Sequence, residues 1–224
     1  MGRRLDPFCQ NASMANVFNR GEHICALYET EGEQRAVAVE YVVDGLLKGE
    51  RCFYVVDSQE ALERFCRSLK SVGVDVDAMV ASGALVTATH AEAHLLGGAF
   101  DCERMISFLN DAVESALTAG FTGLRTCGDM SWLLQNPPGA SQVIEYEAIL
   151  NHLFEGVPAC GMCQYDRHQL PPDIVDHALA THSSATIDGR HKANPFYKPG
   201  EIAKGRAPQP NDLSWKISEL RLRR

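Results

Sequence analysis

Three polar segments contain the residue types that a small-molecule site requires. They are residues 128–132 (GDMSW), the pair Tyr146 and Glu147 with Asn151, and residues 163–167 (CQYDR). An acid and an indole beside a Tyr-Asp-Arg sequence would give a pocket apolar walls and a few polar anchors. We therefore expect Trp132 and Tyr165 to line a pocket. The alternative is that Trp132 belongs to the core and that Asp166 and Arg167 form a surface pair, and composition favours neither.

Nucleotide binding is the first function to test, because three segments have the glycine spacing of a phosphate-binding loop. That loop also needs a Lys followed by Ser or Thr after the second glycine. The glycine pairs Gly123/Gly128, Gly156/Gly161 and Gly200/Gly205 are followed instead by Asp-Met, Met-Cys and Arg-Ala. Residues 29–33 (ETEGE), which follow the first predicted strand, are acidic and would repel phosphate. The sequence therefore predicts neither ATPase activity nor tight nucleotide binding.

Two pairs of metal-ligand residues have suggestive spacing, but their contexts disfavour a metal site. Cys160 and Cys163 lie on a predicted strand, where positions three apart point to opposite faces, and no second ligand pair follows. His90 and His94 could share one face of a helix, but Gly97-Gly98 and the weak periodicity around them favour a loop. A Gly-x-Ser-x-Gly nucleophile motif is also missing from the sequence. We predict no metal site, no cofactor and no catalytic residue.

Composition narrows the class of protein. The chain of 224 residues has a formal net charge of −8, which disfavours direct nucleic-acid binding. It contains no apolar stretch of the roughly 20 residues needed to cross a bilayer, and no secretory signal pattern. Several of the eight cysteines lie in apolar runs, as free cysteines do. We expect a cytoplasmic protein with reduced thiols and no membrane partner.

Short β-favouring runs alternate with stretches of helical periodicity. The predicted strands are 23–28, 51–56, 84–89, 123–127, 157–165 and 185–188; the predicted helices are 34–48, 58–73, 101–120, 141–154 and 172–181. This alternation predicts one α/β domain with a mainly parallel sheet and helices on both faces. The ligand crevice of such a sheet lies beyond the carboxyl ends of its strands. This selects the residues at the strand ends: Tyr28, Glu29, Asp57, His90, residues 129–132, residues 165–167 and Asp188. For Asp57 and Asp188, a role as a helix cap or turn residue is the alternative.

The two ends of the chain are less regular than this domain. We divide the chain into an N-terminal extension (1–20), a domain (21–198), and a linker with a C-terminal helix (199–224). Leu213, Ile217 and Leu220 would lie on one face of that helix, with Trp215 off it. The helix is either an output element that docks on the domain or a neighbour, or a frayed tail.

An ordered set of short motifs resembles a known family. The motifs are HICALY (23–28), GLLKGERCFYVVD (45–57), GVDVD (73–77), SGAL (82–85), GAFD (98–101), GFTGLR (120–125), GDMSW (128–132), Tyr146-Glu147 with Asn151, CQYDR (163–167) and NPFY (194–197). Together they resemble the MEDS family, the methanogen/methylotroph, DcmR-type sensory domain. The resemblance implies a RecA/KaiC-type fold without a working phosphate loop. It also implies sensing of small hydrocarbon-derived or one-carbon compounds, in proteins that often carry kinase or DNA-binding modules.

The resemblance also suggests the ligand-binding residues and the partners. The expected ligand-binding residues are His23, Tyr28, Asp129, Trp132, Tyr146, Glu147, Asn151, Cys163, Tyr165, Asp166 and His182. Two positions depart from the family pattern: Asp129 stands where Glu is usual, and His182-Ser183 where His-Pro is usual. We expect a sensory module that binds a small molecule and signals through a kinase or transcription regulator, or through a homodimer. One alternative is an enzyme that uses Asp129 or Asp166 with Cys163 in the same crevice, and another is a pure interaction protein.

Overall fold

The computed structural model describes residues 16–198 and 210–223. Within these residues, seven strands form one sheet in the order β3-β2-β4-β5-β1-β6-β7. The strands are β1 (His23–Tyr28), β2 (Arg51–Val56), β3 (Leu85–Thr89), β4 (Leu124–Asp129), β5 (Ala159–Asp166), β6 (Ser184–Ile187) and β7 (Arg190–Ala193). All neighbouring strands are parallel except β6 and β7. The carboxyl ends of β1 to β6 therefore lie at one edge of the sheet.

Helices connect the parallel strands and begin at polar caps. The helices are α1 (Glu31–Leu47), α2 (Gln59–Ser71), α3 (Val76–Ala81), α4 (Cys102–Thr118), α5 (Val143–Glu155), α6 (Pro172–Thr181) and α7 (Pro210–Leu222). The Ser58 and Asp101 side chains accept hydrogen bonds from the backbone N–H groups of Ala61 and Arg104. Both residues thus cap their helices as predicted, because a side-chain oxygen satisfies an N–H group that has no partner in the first turn. In the described residues, no helix has the length and apolar character needed to span a membrane.

The sheet separates two hydrophobic cores. α1, α2 and α3 cover one face, and α4 to α7 cover the other. Because side chains alternate along a strand, β5 contributes Cys160 and Met162 to the first core and Cys163 and Tyr165 to the second. The two cysteines point to opposite faces, as predicted.

A buried ion-pair network joins α1 to the sheet. Arg125 of β4 is 1% exposed. Its guanidinium lies 2.6 Å from a Glu50 carboxylate oxygen and 2.9 Å from an Asp44 carboxylate oxygen. The planar guanidinium also donates a hydrogen bond to the Tyr41 carbonyl and lies over the Tyr41 ring. This pairing offsets the cost of burying the charge.

α7 packs on its own domain. Leu213, Ile217 and Leu220 are buried in the core on the α4–α6 side, whereas Trp215 is 61% exposed. The predicted apolar face of this helix is thus confirmed. Lys216 adds an ion pair with Asp176 of α6.

Two elements were not predicted. The six-residue helix α3 is too short to show a helical repeat. Strand β7 has the polar sequence RHKA, and its two end residues, Arg190 and Ala193, are exposed. Such a polar edge strand lacks the apolar alternation by which strands are recognised.

Candidate functional site

A cleft of about 460 Å³ opens at the carboxyl ends of β1, β2, β4 and β5. Its polar and aromatic lining consists of Tyr28, Glu31, Gln34, Arg35, Tyr54, Asp57, Arg64, Phe65, Asp129, Ser131, Gln135, Asp166 and Gln169. The cleft lies on the face of the sheet that α1 and α2 cover. Of the eleven expected ligand-binding residues, Tyr28, Asp129 and Asp166 line this cleft.

Asp129 is a buried carboxylate whose orientation is fixed by its neighbours. The Tyr28 hydroxyl donates to Asp129 Oδ1 over 3.1 Å, and the Ser131 hydroxyl donates to Oδ2 over 2.5 Å. His90 Nε2 lies 3.6 Å from Oδ2. Burial raises the pKa of Asp129, although the Ser131 hydroxyl and His90 act in the opposite direction, and burial lowers the pKa of His90. Asp129 therefore presents a preoriented acceptor at the cleft.

Asp166 organises the rim of the same cleft. Its Oδ1 accepts the backbone N–H groups of His168 and Gln169, both over 2.9 Å, so the carboxylate holds the turn after β5. Arg167 forms its ion pair with Glu29 and not with Asp166. The surface pair considered from the sequence is therefore formed with a different carboxylate.

The start of α1 leaves no room for a phosphate-binding loop. Only Glu29 and Thr30 separate β1 from α1, and Thr30 is the N-cap of the helix. A phosphate-binding loop needs a longer, glycine-rich connection whose backbone N–H groups surround the phosphates. The first turn of α1 instead carries Glu31 and Glu33, which already supply negative charge to the helix N-terminus.

A second group of the expected residues forms a buried polar cluster on the opposite face of the sheet. We call His23 (β1), Glu147 (α5), Cys163 (β5) and His182, which follows α6, the four-residue cluster. Glu147 Oε2 lies 3.0 Å from His23 Nε2 and 3.2 Å from His182 Nε2. Cys163 Sγ lies 3.6 Å from both His23 Nε2 and Glu147 Oε2. The Tyr165 hydroxyl donates to the other Glu147 oxygen over 2.9 Å.

Burial controls the ionisation of this cluster. It lowers the pKa of His23 to about 4 and raises the pKa of the Cys163 thiol well above its ordinary value. Burial alone would also raise the pKa of Glu147, but His182 and His23 together hold that pKa well below its ordinary value. At neutral pH the cluster therefore holds an ionised carboxylate beside a neutral His23 and a protonated thiol.

Trp132 and Tyr146 belong to the core beside this cluster. Trp132 is 0% exposed, and its ring stacks on Phe100 and His94 at centroid distances of 4.8 and 5.8 Å. Tyr146 packs edge-on against the same Phe100 ring. The expectation that Trp132 and Tyr165 line one pocket with Asp129 is wrong, because they lie behind the sheet and outside the cleft.

Cys163 also lies outside the cleft. Alternation along β5 sends Cys163 and Tyr165 to one face and Asp166 to the other. The expected residues therefore form two sites, and the common crevice that the enzymatic alternative requires is not formed.

His90, one of the strand-end residues selected from the sequence, has its ring beside Asp129 because it directly follows β3. Sequence reasoning missed two arginines of the cleft. Arg35 and Arg64 line the cleft from α1 and α2. They lie five and six residues after the N-caps Thr30 and Ser58, in the second turn of each helix, which is still near the carboxyl edge of the sheet.

Comparison with known proteins identifies the family. The family described as "MEthanogen/methylotroph, DcmR Sensory domain" (MEDS) matches residues 22–183, a range that includes both sites. This chain belongs to the MEDS family. This MEDS chain is 26% identical to the transcriptional repressor DcmR of Methylorubrum extorquens over 162 residues. The matched region covers 72% of this chain and 58% of DcmR. The chain thus matches somewhat more than half of the length of that curated relative.

Solved structures confirm the RecA/KaiC-like fold of this MEDS domain. The flagellar accessory protein FlaH from Methanocaldococcus jannaschii superposes with a TM-score of 0.54 at 15% identity, over 88% of this chain and 87% of FlaH. The KaiC-like protein PH0186 from Pyrococcus horikoshii gives a TM-score of 0.51 at 12% identity, over 75% and 71% of the two chains. At these identities the likeness shows the fold alone.

Proposed function

We propose that this MEDS domain binds a small organic molecule in the cleft and reports its presence to a partner protein or to a second copy of the chain. One observation carries the proposal: the cleft at the carboxyl edge of the sheet contains a preoriented, buried Asp129 carboxylate with the Tyr28 hydroxyl beside it. Ligands of open α/β sheets bind at this edge. The sensory character of the MEDS family supports the same role.

The lining defines the chemistry of the ligand. Asp57, Asp129 and Asp166 line the cleft together with Arg35 and Arg64. A polar molecule with a hydroxyl or amino group would donate to Asp129, and an anionic group would pair with an arginine. The family's description links it to methanogens and methylotrophs, which supports a one-carbon or hydrocarbon-derived compound.

α7 provides a route from the cleft to the surface of the domain. Glu29 follows the cleft residue Tyr28 directly, and its carboxylate lies 3.0 Å from Arg221 of α7. Arg221 also pairs with Asp188 over 2.8 Å. A displacement of the end of β1 on ligand binding would therefore change the contacts that hold α7. We propose α7 as the output element.

The partner we propose is a transcription regulator or a kinase. The curated relative DcmR is itself a transcriptional repressor, which supports the first of these. In the described residues all seven cysteines are free, which agrees with the reduced cytoplasm as the place of action.

We propose a binding domain rather than an enzyme. Asp129 and Asp166 lie at the cleft, whereas Cys163 lies behind the sheet with its pKa raised by burial. A reactive cysteine needs a stabilised thiolate, and this environment disfavours one.

A thermal-shift screen with small alcohols, amines and carboxylates, including one-carbon compounds, tests the proposal. At least one compound should raise the melting temperature of the wild type, and the increase should be lost in Asp129→Asn and Tyr28→Phe. Asp111→Asn, an exposed substitution on α4, is the matched control and should respond as the wild type does. If every active compound stabilises the cleft variants equally, the ligand does not bind in the cleft.

A further inference from the structure

The four-residue cluster brings together two imidazoles, a carboxylate and a thiol from four separate elements. Its four candidate ligand atoms all lie within 4.8 Å of one another. His23, Glu147, Cys163 and His182 are at most 7% exposed. The cluster lies behind the sheet and shares no residue with the cleft lining.

Hydrogen bonds on the far side of each imidazole fix its tautomer. The Asn151 amide nitrogen donates to the carbonyls of Thr181 and Glu147, so its Oδ1 is left to accept the Nδ1–H of His23, 3.3 Å away. His182 Nδ1 lies 2.7 Å from the Ala178 carbonyl, which can only accept. Both imidazoles therefore carry a proton on Nδ1, and in the neutral ring Nε2 presents a lone pair.

These lone pairs converge on a negative group. His23 Nε2 and His182 Nε2 both point at Glu147 Oε2, which is an acceptor as well. His182 Nε2, although 3.2 Å from that oxygen, forms no hydrogen bond to any group in the described residues. With both rings neutral, only the Cys163 thiol can donate, so three acceptors face one another in a buried space. A cation between them, either a proton on one Nε2 or a metal ion, removes this repulsion.

The distances match a metal ion. A Zn²⁺ ion lies about 2.0–2.3 Å from N, O and S ligands, which places ligand atoms of a tetrahedron about 3.3–3.7 Å apart. Four of the six separations within the cluster run from 3.0 to 3.6 Å, and all six are within 4.8 Å, so a small contraction would complete the tetrahedron. The hydrogen bonds of the two Nδ1 atoms are also typical of metal sites, in which the imidazole nitrogen that does not bind the metal donates to a carbonyl or amide oxygen. The Tyr165 hydroxyl likewise orients the carboxylate.

We propose that His23, Glu147, Cys163 and His182 bind one Zn²⁺ ion. Imidazole and thiolate ligands suit zinc, and a site with four protein ligands and no open position is structural rather than catalytic. Cys163 loses its thiol proton to solvent when the Zn–S bond forms. The ion would join β1, β5, α5 and the segment after α6 behind the cleft.

The test uses the full chain, treated with a chelator and then titrated with Co²⁺ and, separately, with Zn²⁺. We expect one equivalent of Co²⁺ to bind, with the visible bands of tetrahedral cobalt and a thiolate-to-cobalt charge-transfer band, and Zn²⁺ to displace it. Cys163→Ser should abolish the charge-transfer band. Cys127→Ser removes an equally buried thiol outside the cluster and should retain it. Asn151→Ala, which removes the partner of His23 Nδ1 together with two hydrogen bonds to backbone carbonyls but no proposed ligand, should weaken metal affinity about 10–100-fold.

The wild-type titration decides the matter even where a variant folds poorly. Folded wild-type protein that takes up neither Co²⁺ nor Zn²⁺ would show that the cluster is a hydrogen-bonded network only. A charge-transfer band that persists in Cys163→Ser, or that is lost in Cys127→Ser, would also overturn the assignment.

Discussion

Replacing Trp132 by Ala should destabilise the fold rather than empty a binding site. The indole is fully buried and stacks on Phe100 and His94. Its Nε1 has no hydrogen-bond partner in the described residues, so the loss is one of packing alone. Truncating a buried aromatic to Ala costs about 3–5 kcal/mol. For a domain of this size the melting temperature falls by about 2–4 °C per kcal/mol, which predicts a decrease of roughly 6–20 °C.

Thermal and urea unfolding followed by circular dichroism measure this effect. Trp132→Phe keeps a ring in the stack and should cost less, roughly 1–2 kcal/mol. Trp215→Ala is the control, because this second tryptophan is 61% exposed and should change stability by no more than about 0.5 kcal/mol. A loss below about 1 kcal/mol in Trp132→Ala, with ligand binding abolished, would refute the core assignment.

Three further predictions concern other parts of the molecule. Calorimetry with Mg²⁺ and ATP should show no binding at micromolar concentrations, because the β1–α1 connection cannot surround phosphates; a measurable micromolar affinity would contradict this. Arg125→Met should cost about 3 kcal/mol in urea unfolding, since Glu50 and Asp44 lose their buried partner and keep only the half-exposed Arg20 and Lys48; a loss under about 1 kcal/mol would show that these two surface cations suffice. Deleting residues 208–224 should leave the domain folded but change its oligomeric state or its coupling to a partner, as measured by light scattering and pull-down. If both are unchanged, α7 is not the output element.

Local patterns in the sequence predicted much of the fold. The bounds of β1, β2 and α6 agree with the structure, because each is a short apolar or periodic run that ends at a polar or capping residue. The absence of a phosphate-binding loop and the apolar face of α7 were also predictable. Both depend on residues that are close together in the chain.

The sequence predicted only in part that the expected ligand-binding residues would lie in two separate sites, one on each face of the sheet. Alternation along β5 should have separated Tyr165 from Asp166, and this signal was present in the sequence. The four-residue cluster carried no such signal, because His23 and Cys163 are 140 positions apart. They meet only because β1 pairs with β5 in the register that places Cys25 beside Cys163. Spacing rules for metal ligands do not detect a set assembled from four separate elements.

Hydrogen–deuterium exchange with a compound that stabilises the wild type tests the central claim most directly. We expect slower exchange on ligand addition in three of the segments that line the cleft, 28–35, 54–65 and 129–135, with a smaller change in α7. Exchange that slows elsewhere, with these three segments unchanged, would contradict a sensory site in the cleft.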